Sequence, residues 1–290
     1  MSMENILELQ QVSKTFPKSN FTLENVTFSL PYGAILGFVG ENGAGKTTTI
    51  GCILNTIAKD SGTITLFGQE MLDEDTSLRE RIGVVYDGDN FPTYWTAKQL
   101  SKIMKGFYTQ WDSSLFQKYL EDFHLPTNQE IKHYSRGMTM KLAIATALAH
   151  HPELLILDEA TSGLDPIVRD EMLDVFLEFV QEENHSILLS SHITSDLEKV
   201  ADYITFIHNG RLIMTASKND LVYNYAVMRC KESQFLAIDP KDILAYRKRD
   251  FQIDVLVSNG KEAQKKYKNV VVDHTSVDEI MLLLVKGERI

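Results

Sequence analysis

The glycine-rich segment 40–47 constrains the fold of this chain more than any other feature. It fits the pattern GxxxxGK[ST] at every fixed position. The apolar run 34–39 before it predicts a short buried strand, and residues 46–57 after it predict a helix. A strand, a glycine turn and a helix in this order bring backbone N–H groups and the positive end of the helix together, where they bind phosphate oxygens. The segment therefore predicts an α/β fold with a phosphate-binding loop.

The side chains of this loop match the groups of a nucleoside triphosphate and its metal. Lys46 is expected to reach the β- and γ-phosphates, Thr47 to ligate Mg²⁺ through its hydroxyl, and Thr48 to donate a hydrogen bond to phosphate. The other residues expected to bind phosphate supply backbone N–H groups or room for close approach, and they are Gly40, Asn42, Gly43, Ala44 and Gly45. We therefore expect ATP and Mg²⁺ as ligands.

A second motif joins an apolar run to two carboxylates. The run 154–157 is typical of a buried parallel strand, and Asp158 and Glu159 follow it, where the carboxyl end of the strand faces a ligand. Asp158 is placed to hold Mg²⁺ through water. Glu159 is the candidate general base, which would polarise the water that attacks the γ-phosphate.

Two further segments carry a resemblance to a known family. Segment 134–138 is similar to an LSGGQ signature in which only the serine, Ser135, and the second glycine, Gly137, are kept, and segment 160–165 matches a D-loop ending in Asp165. The chain therefore resembles the ATP-binding subunits of ABC transporters. In that family the signature closes over the ATP of the opposite protomer, which implies that these three residues bind nucleotide across a dimer.

The resemblance extends over residues 4–220 and implies two more roles. The strand-like segment 187–192 ends in a histidine that matches the switch histidine, so His192 is expected to contact the γ-phosphate and to orient Glu159. Phe16 lies before the phosphate loop, where the family stacks an aromatic ring on adenine.

Two of the departures from the family pattern bear on the mechanism. Asp87 stands where the Q-loop normally has glutamine, and Arg136 replaces a small residue of the signature. An aspartate offers Mg²⁺ a charge on a shorter arm, so we expect Asp87 still to bind the metal but to change the coupling of hydrolysis to the membrane partner. Arg136 either points away from the phosphate or contacts it. Related exporter subunits carry a basic residue here, so the departure indicates a subfamily.

The resemblance also implies the architecture. We expect a P-loop NTPase of the ABC ATPase type over residues 1–220, with a RecA-like core, an antiparallel β subdomain and a helical subdomain at about 91–147. Residues 221–290 are expected to form a small C-terminal α+β module with an accessory, dimerisation or regulatory role. In it, the alternation at 251–257 predicts a strand, and 261–268 predicts a helix.

The implied function is ATP hydrolysis that powers an ABC exporter. Two identical or related subunits would sandwich ATP and drive separate transmembrane permease subunits. The subfamily resembles exporters of bacitracin, of antimicrobial peptides and of cytolytic peptides similar to phenol-soluble modulins, which implies a hydrophobic antibiotic or amphipathic peptide as cargo. Two alternatives stay open, a non-transport ABC ATPase and a regulatory subunit that binds nucleotide without hydrolysing it.

Composition bears on location and partners. The chain has no apolar run long enough to span a membrane and no apparent signal segment at its start, so we expect a cytoplasmic protein held on the inner face of the plasma membrane by permease subunits. The net charge of −11 argues against nucleic acid as a partner, because duplex-binding domains are usually basic.

Overall fold

The computed structural model describes residues 4–19, 21–71, 75–88 and 90–289, in which strands and helices alternate along the chain. The strands are β1 (Asn5–Thr15), β2 (Thr22–Pro31), β3 (Ile35–Val39), β4 (Ser61–Leu66), β5 (Gln69–Glu70), β6 (Ile82–Val85), β7 (Leu154–Asp158), β8 (Ser186–Ser191), β9 (Tyr203–His208), β10 (Arg211–Ser217), β11 (Ala226–Cys230), β12 (Ala245–Lys248), β13 (Ile253–Val257) and β14 (Val271–His274). The α-helices are α1 (Lys46–Ile53), α2 (Thr76–Glu80), α3 (Ala97–Phe107), α4 (Ser113–Asp122), α5 (Arg136–Leu148), α6 (Pro166–Phe179), α7 (Thr194–Val200), α8 (Lys218–Tyr223), α9 (Glu232–Phe235), α10 (Gly260–Lys266) and α11 (Val277–Lys286). Short 3-10 helices cover Ile131–His133 and Pro240–Asp242.

A six-stranded sheet forms the centre of the molecule, with its strands in the order β10, β9, β3, β8, β7 and β6. The pairing of β10 with β9 is antiparallel, and the other pairings are parallel. Strands β3, β7 and β8 are buried along their whole length, which accounts for their continuous apolar runs. Because the carboxyl ends of parallel strands share one edge, the loop after β3 and the last residues of β7 and β8 meet there.

Helix α1 follows the phosphate loop, but it is shorter than predicted. The sequence predicted a helix over 46–57, and the helix ends at Ile53. Asn55 adopts a left-handed conformation with φ of 54°, and the N–H groups of Asn55 and Thr56 donate to the carbonyls of Cys52 and Gly51. This is a Schellman ending with asparagine in the left-handed position, and it satisfies two carbonyls of the last turn.

Two smaller layers flank the central sheet. Strands β2, β1, β4 and β5 form an antiparallel sheet in that order, and it packs with the central sheet around a common apolar core. Helices α3, α4 and α5 share a second core that includes Leu100, Phe116 and Leu142. Helix α3 begins with a capping box in which Thr96 and Gln99 bond each other's backbone N–H groups.

A third sheet, which we call the C-terminal sheet, has the antiparallel order β12, β13, β11 and β14. Helix α11 packs between this sheet and α7, so that Leu256 and Ile280 lie in the same buried cluster as Leu197 and Val200. Glu198 of α7 also accepts a hydrogen bond of 2.6 Å from the backbone N–H at the start of α11. The C-terminal sheet is thus continuous with the rest of the core.

Within the described residues, no helix is both long enough and apolar enough to cross a membrane.

Candidate active site

A cavity of about 680 Å³ opens where the carboxyl ends of the parallel strands meet. The loop between β3 and α1, the residues after β6 and the end of β7 form its walls. The predicted site residues that line it are Asn42, Gly43, Gly45, Lys46, Thr47, Thr48, Asp87, Asp158 and Glu159. Gly40 and Ala44 are buried in the same loop. The parallel sheet therefore brings together residues from three separate stretches of sequence.

Two glycines of the loop adopt backbone conformations that favour glycine. Gly45 has φ of 117°, and a Cβ there would lie 3.0 Å from the ring of Phe21. Gly43 has φ of 81°, and a Cβ there would meet no atom within 4 Å. The backbone at Gly43 is therefore open to the cavity, and this open backbone next to a helix start fits a phosphate group.

The ammonium of Lys46 is buried at the base of the cavity. It donates hydrogen bonds to the carbonyls of Gly40, at 2.7 Å, and Glu41, at 3.3 Å. The Glu159 carboxylate lies 3.0 Å away, and no aligned N–H bond joins this carboxylate oxygen to a partner among the described residues. The contact is a charge pair, and the hydrogen bonds of the ammonium go to the two carbonyls. Lys46 is thus positioned by its own loop and neutralises Glu159.

Asp158 sits beside Thr47 at the end of β7. The Thr47 hydroxyl donates to Asp158 Oδ2 at 2.8 Å, and the Ser190 hydroxyl donates to Asp158 Oδ1 at 2.5 Å. A hydroxyl and a carboxylate at this spacing are hard oxygen ligands of the kind that Mg²⁺ takes together with substrate phosphates, so these residues fit the metal. Ser190 was missed by sequence reasoning, although it lies directly across from Asp158 in the parallel register of β7 and β8.

Glu159 lies between a lysine and a histidine. Its Oε2 is 2.6 Å from Nδ1 of His192, and the backbone N–H of His192 also points at this oxygen, at 3.4 Å. The backbone of Glu159 is held in the left-handed region, with φ of 55°, and its N–H donates to the Ser190 carbonyl at 3.1 Å. Such strained backbone is common at active sites. The residue is 9 % exposed, so little water competes for its carboxylate.

Comparison with known proteins agrees with this geometry. The family model described as ABC transporter matches residues 23–162. The bacitracin transport ATP-binding protein BcrA of Bacillus licheniformis is 35 % identical over 213 residues, which cover 73 % of this chain and 69 % of BcrA. The chain belongs to the ABC transporter ATP-binding proteins. The sequence-based recognition of the family is therefore confirmed.

Another relative and a solved structure agree with the predicted fold and activity. The lantibiotic transport ATP-binding protein SrtF of Streptococcus pyogenes is 33 % identical, over 72 % of this chain and 90 % of SrtF. The solved ATP-binding subunit of an ABC transporter superposes with a TM-score of 0.68 at 27 % identity, covering 74 % of this chain and 91 % of that one. The predicted ABC ATPase fold is confirmed. Like its family, the protein is an ATPase, and ATP is its substrate.

The signature and D-loop residues of this ABC ATPase lie at helix starts. Ser135 caps α5, and its hydroxyl accepts the Met138 N–H at 3.2 Å, with Gly137 in the first turn of that helix. Asp165 caps α6 and accepts two backbone N–H groups at 3.1 Å. The structure does not bring Ser135, Gly137 or Asp165 to the described wall of the cavity. Their predicted contact with a nucleotide on an opposite protomer stays a prediction.

An aromatic residue on the cavity wall differs from the one predicted. Phe21 lines the cavity and Phe16 does not, and their ring centroids are 6.4 Å apart. Sequence reasoning selected Phe16 from its place in the family pattern, and nothing in that pattern marks Phe21. The adenine contact of Phe16 stays a prediction.

Asp87 and Arg136, which both depart from the family pattern, contact each other. Nη2 of Arg136 donates to Oδ1 of Asp87 at 2.8 Å, and both side chains are about half exposed. Next to Asp87, burial raises the pKa of Tyr86, and the charge of Asp158 adds to this effect.

Proposed function

We propose that this ABC ATPase binds MgATP in the described cavity and uses hydrolysis to drive the export of a hydrophobic antibiotic or amphipathic peptide. The relatives named for bacitracin and lantibiotic transport support this cargo class. Transport would require separate transmembrane permease subunits, which would hold the protein at the inner face of the membrane.

The observation that carries the proposal is the Glu159 carboxylate, held between Lys46 and His192 beside an open phosphate loop. Glu159 would accept the proton of the attacking water, because it is the carboxylate that reaches both the base of the cavity and the switch histidine. His192 would keep Glu159 aimed and would donate to the γ-phosphate. Lys46 would exchange its backbone carbonyl partners for phosphate oxygens.

The metal role rests on Thr47 and Asp158. Bound Mg²⁺ would neutralise the charge that develops on the phosphates during transfer. The Ser190 hydroxyl orients Asp158 for this role, since it donates to the oxygen that Thr47 does not use. Asp87 shares the cavity wall and is the remaining candidate ligand.

We further propose that two chains, identical or related, close around two ATP molecules. A dimeric ATP-binding cassette, MJ0796, with ADP and Pi bound has the same fold, with a TM-score of 0.65 at 20 % identity over 73 % of this chain and 98 % of that one. In such a sandwich, Ser135, Gly137 and Asp165 of one protomer would meet the nucleotide of the other. Residues 221–290 would act as an accessory module.

The test compares the purified chain with Glu159→Gln. Steady-state ATPase activity should fall by about 10² to 10⁴, the usual contribution of a general base. Size-exclusion chromatography with light scattering should show a dimer of Glu159→Gln in MgATP. A matched control is Glu153→Gln, because Glu153 pairs with Arg81 at the opposite end of the same strand and should leave turnover unchanged.

Other results would point to the alternatives. A parent chain that binds ATP without turnover would indicate a regulatory subunit. Turnover together with co-purification on ribosomes, and with no polytopic membrane protein, would indicate a non-transport ATPase. Retention of activity in Glu159→Gln would remove Glu159 from the role of base.

A further inference from the structure

The strongest unassigned feature is the contact made by Arg136, whose guanidinium joins three loops of one chain. It donates to Asp87 on the cavity wall at 2.8 Å, and it belongs to the first turn of α5 in the signature segment. It also lies against Gly163 of the D-loop, where an added Cβ would sit 2.7 Å from the guanidinium carbon. The planar group therefore packs on a position that has room only because it is glycine.

Electrostatics explains why this contact matters for an anionic substrate. The residues that line the cavity include the carboxylates of Asp87, Asp158 and Glu159, but only one cation, Lys46, within the described residues. ATP carries several negative charges, so an Asp87 that neither binds Mg²⁺ nor pairs with a cation would oppose its binding. Arg136 is a direct partner that neutralises Asp87.

We propose that Arg136 is a positioning residue that acts through Asp87. The ion pair keeps the charge of Asp87 from opposing ATP, and it fixes the signature and D-loop segments to the wall of the cavity in the same chain. ATP binding in one protomer would then affect the position in which Ser135 of the same chain meets the partner. The inference rests on the proposed ATP site.

Direct contact of Arg136 with phosphate is the competing explanation, and a double-mutant cycle separates the two. The four chains are Glu159→Gln alone and Glu159→Gln combined with Arg136→Gln, with Asp87→Asn, or with both. The first readout is the Kd of a fluorescent ATP analogue with Mg²⁺. The second is the ATP concentration that gives half-maximal dimer by light scattering.

If Arg136 acts through Asp87, Arg136→Gln should weaken analogue binding about two- to fivefold, the scale of an exposed ion pair. The same substitution should have no further effect once Asp87→Asn is present. Arg136→Lys should recover part of the loss, because it restores the charge but not the planar packing on Gly163. High salt should reduce the difference, since both side chains are exposed.

A matched control is Arg211→Gln. Arg211 pairs with Glu24 at the surface, with 68 % and 43 % of the two side chains exposed, away from the cavity lining. This variant should bind the analogue like the parent.

An equal loss from Arg136→Gln whether or not Asp87→Asn is also present would overturn the inference, because Arg136 would then act on the nucleotide directly. No loss in either background would overturn it as well. Analogue binding without any dimer would contradict the proposed ATP sandwich, yet the cycle in Kd would still decide the role of Arg136. A parent that binds no nucleotide would contradict both proposals.

Discussion

Two buried networks of charge differ in how fully their groups are partnered. In the cavity, Glu159 has Lys46 on one side and His192 on the other, and one of its oxygens lacks a hydrogen bond among the described residues. In the C-terminal sheet, the fully buried Asp254 takes ion pairs on both oxygens, from Arg229 at 2.9 Å and from Arg249 at 2.6 Å.

The network of the C-terminal sheet is also extended by further acids. Arg229 pairs with Glu279 of α11 at 2.6 Å and with Asp273 of β14 at 3.4 Å. Burial alone would raise the pKa of Asp254, but the hydrogen bonds and charges of the two arginines outweigh burial and place this pKa below its ordinary value. Asp254 is thus kept ionised by partners that belong to several elements.

The same residue types stabilise the fold in one network and bind a ligand in the other. Charges that satisfy one another completely hold strands and a helix together, and they have no capacity left for a ligand. Charges that are held by an incomplete set of partners, at the open edge of a sheet, can exchange those partners for a substrate. We therefore expect substitutions in the two networks to affect different properties.

Lys46→Ala should affect activity far more than stability. Loss of the phosphate-binding cation should lower kcat/KM for ATP by about 10² to 10³, the scale for removing one stabilising donor. The free energy of unfolding should change by no more than about 1 kcal/mol, because Glu159 keeps its hydrogen bond to His192. ATPase kinetics and urea unfolding measure the two quantities. A large loss of stability with little loss of activity would contradict the ligand-binding role of the cavity network.

Asp254→Ala should show the opposite pattern. It removes a buried carboxylate that pairs with both Arg229 and Arg249, so the free energy of unfolding should fall by about 2 kcal/mol, the scale of hydrogen bonds to a charged group. The kcat of the folded protein should stay unchanged, since no cavity residue contacts Asp254. Urea unfolding followed by far-UV circular dichroism gives the first quantity, and ATPase assays at low temperature give the second. An unchanged unfolding midpoint would contradict the structural role.

The smallest expected effect is a pH dependence of stability that comes from His150, a buried histidine outside both networks. The ring of His150 stacks on Tyr108 with centroids 4.0 Å apart, and burial lowers its pKa from the ordinary value of 6.5. The unfolded chain therefore takes up a proton first as the pH falls. The stability from the neutral ring is complete above pH 6.5 and is lost as the pH drops below that value toward the folded pKa.

The measurement is the thermal unfolding midpoint at pH 7.5 and at pH 5.5, for the parent and for His150→Phe. The parent should lose more stability on acidification than the variant, which keeps an aromatic ring against Tyr108 but cannot titrate. Equal losses would show that His150 does not contribute to the pH dependence.

Much of the site follows from sequence because its motifs lie at the ends of parallel strands. Once β3, β7 and β8 are assigned to one sheet, Lys46, Asp158 and His192 must come close together. Lys46 and Asp158 follow from their motifs at strand ends, and His192 follows from its match to the family pattern.

Other features were not recovered from the sequence. Helix α1 ends early because Asn55 takes a left-handed conformation, and asparagine is a local helix-ending signal that the sequence analysis did not use. Strand β11 is an apolar run with a single arginine, so its sequence lacks the alternation that predicted β13. Arg136 and Asp87 pair although they lie 49 positions apart, and the sequence analysis treated them as two separate departures.

The continuous core around α7 and α11 also decides how the chain responds to a protease. Strand β10 ends at Ser217 and α8 begins at the next residue, and α8 ends at Tyr223, shortly before β11 begins. This junction therefore offers no long extended segment for a protease to bind. After a cut elsewhere, we expect the fragments to stay associated through the buried cluster that includes Leu197 and Ile280. The predicted boundary at residue 220 lies inside α8, so we expect cleavage there to require at least local unfolding of this helix.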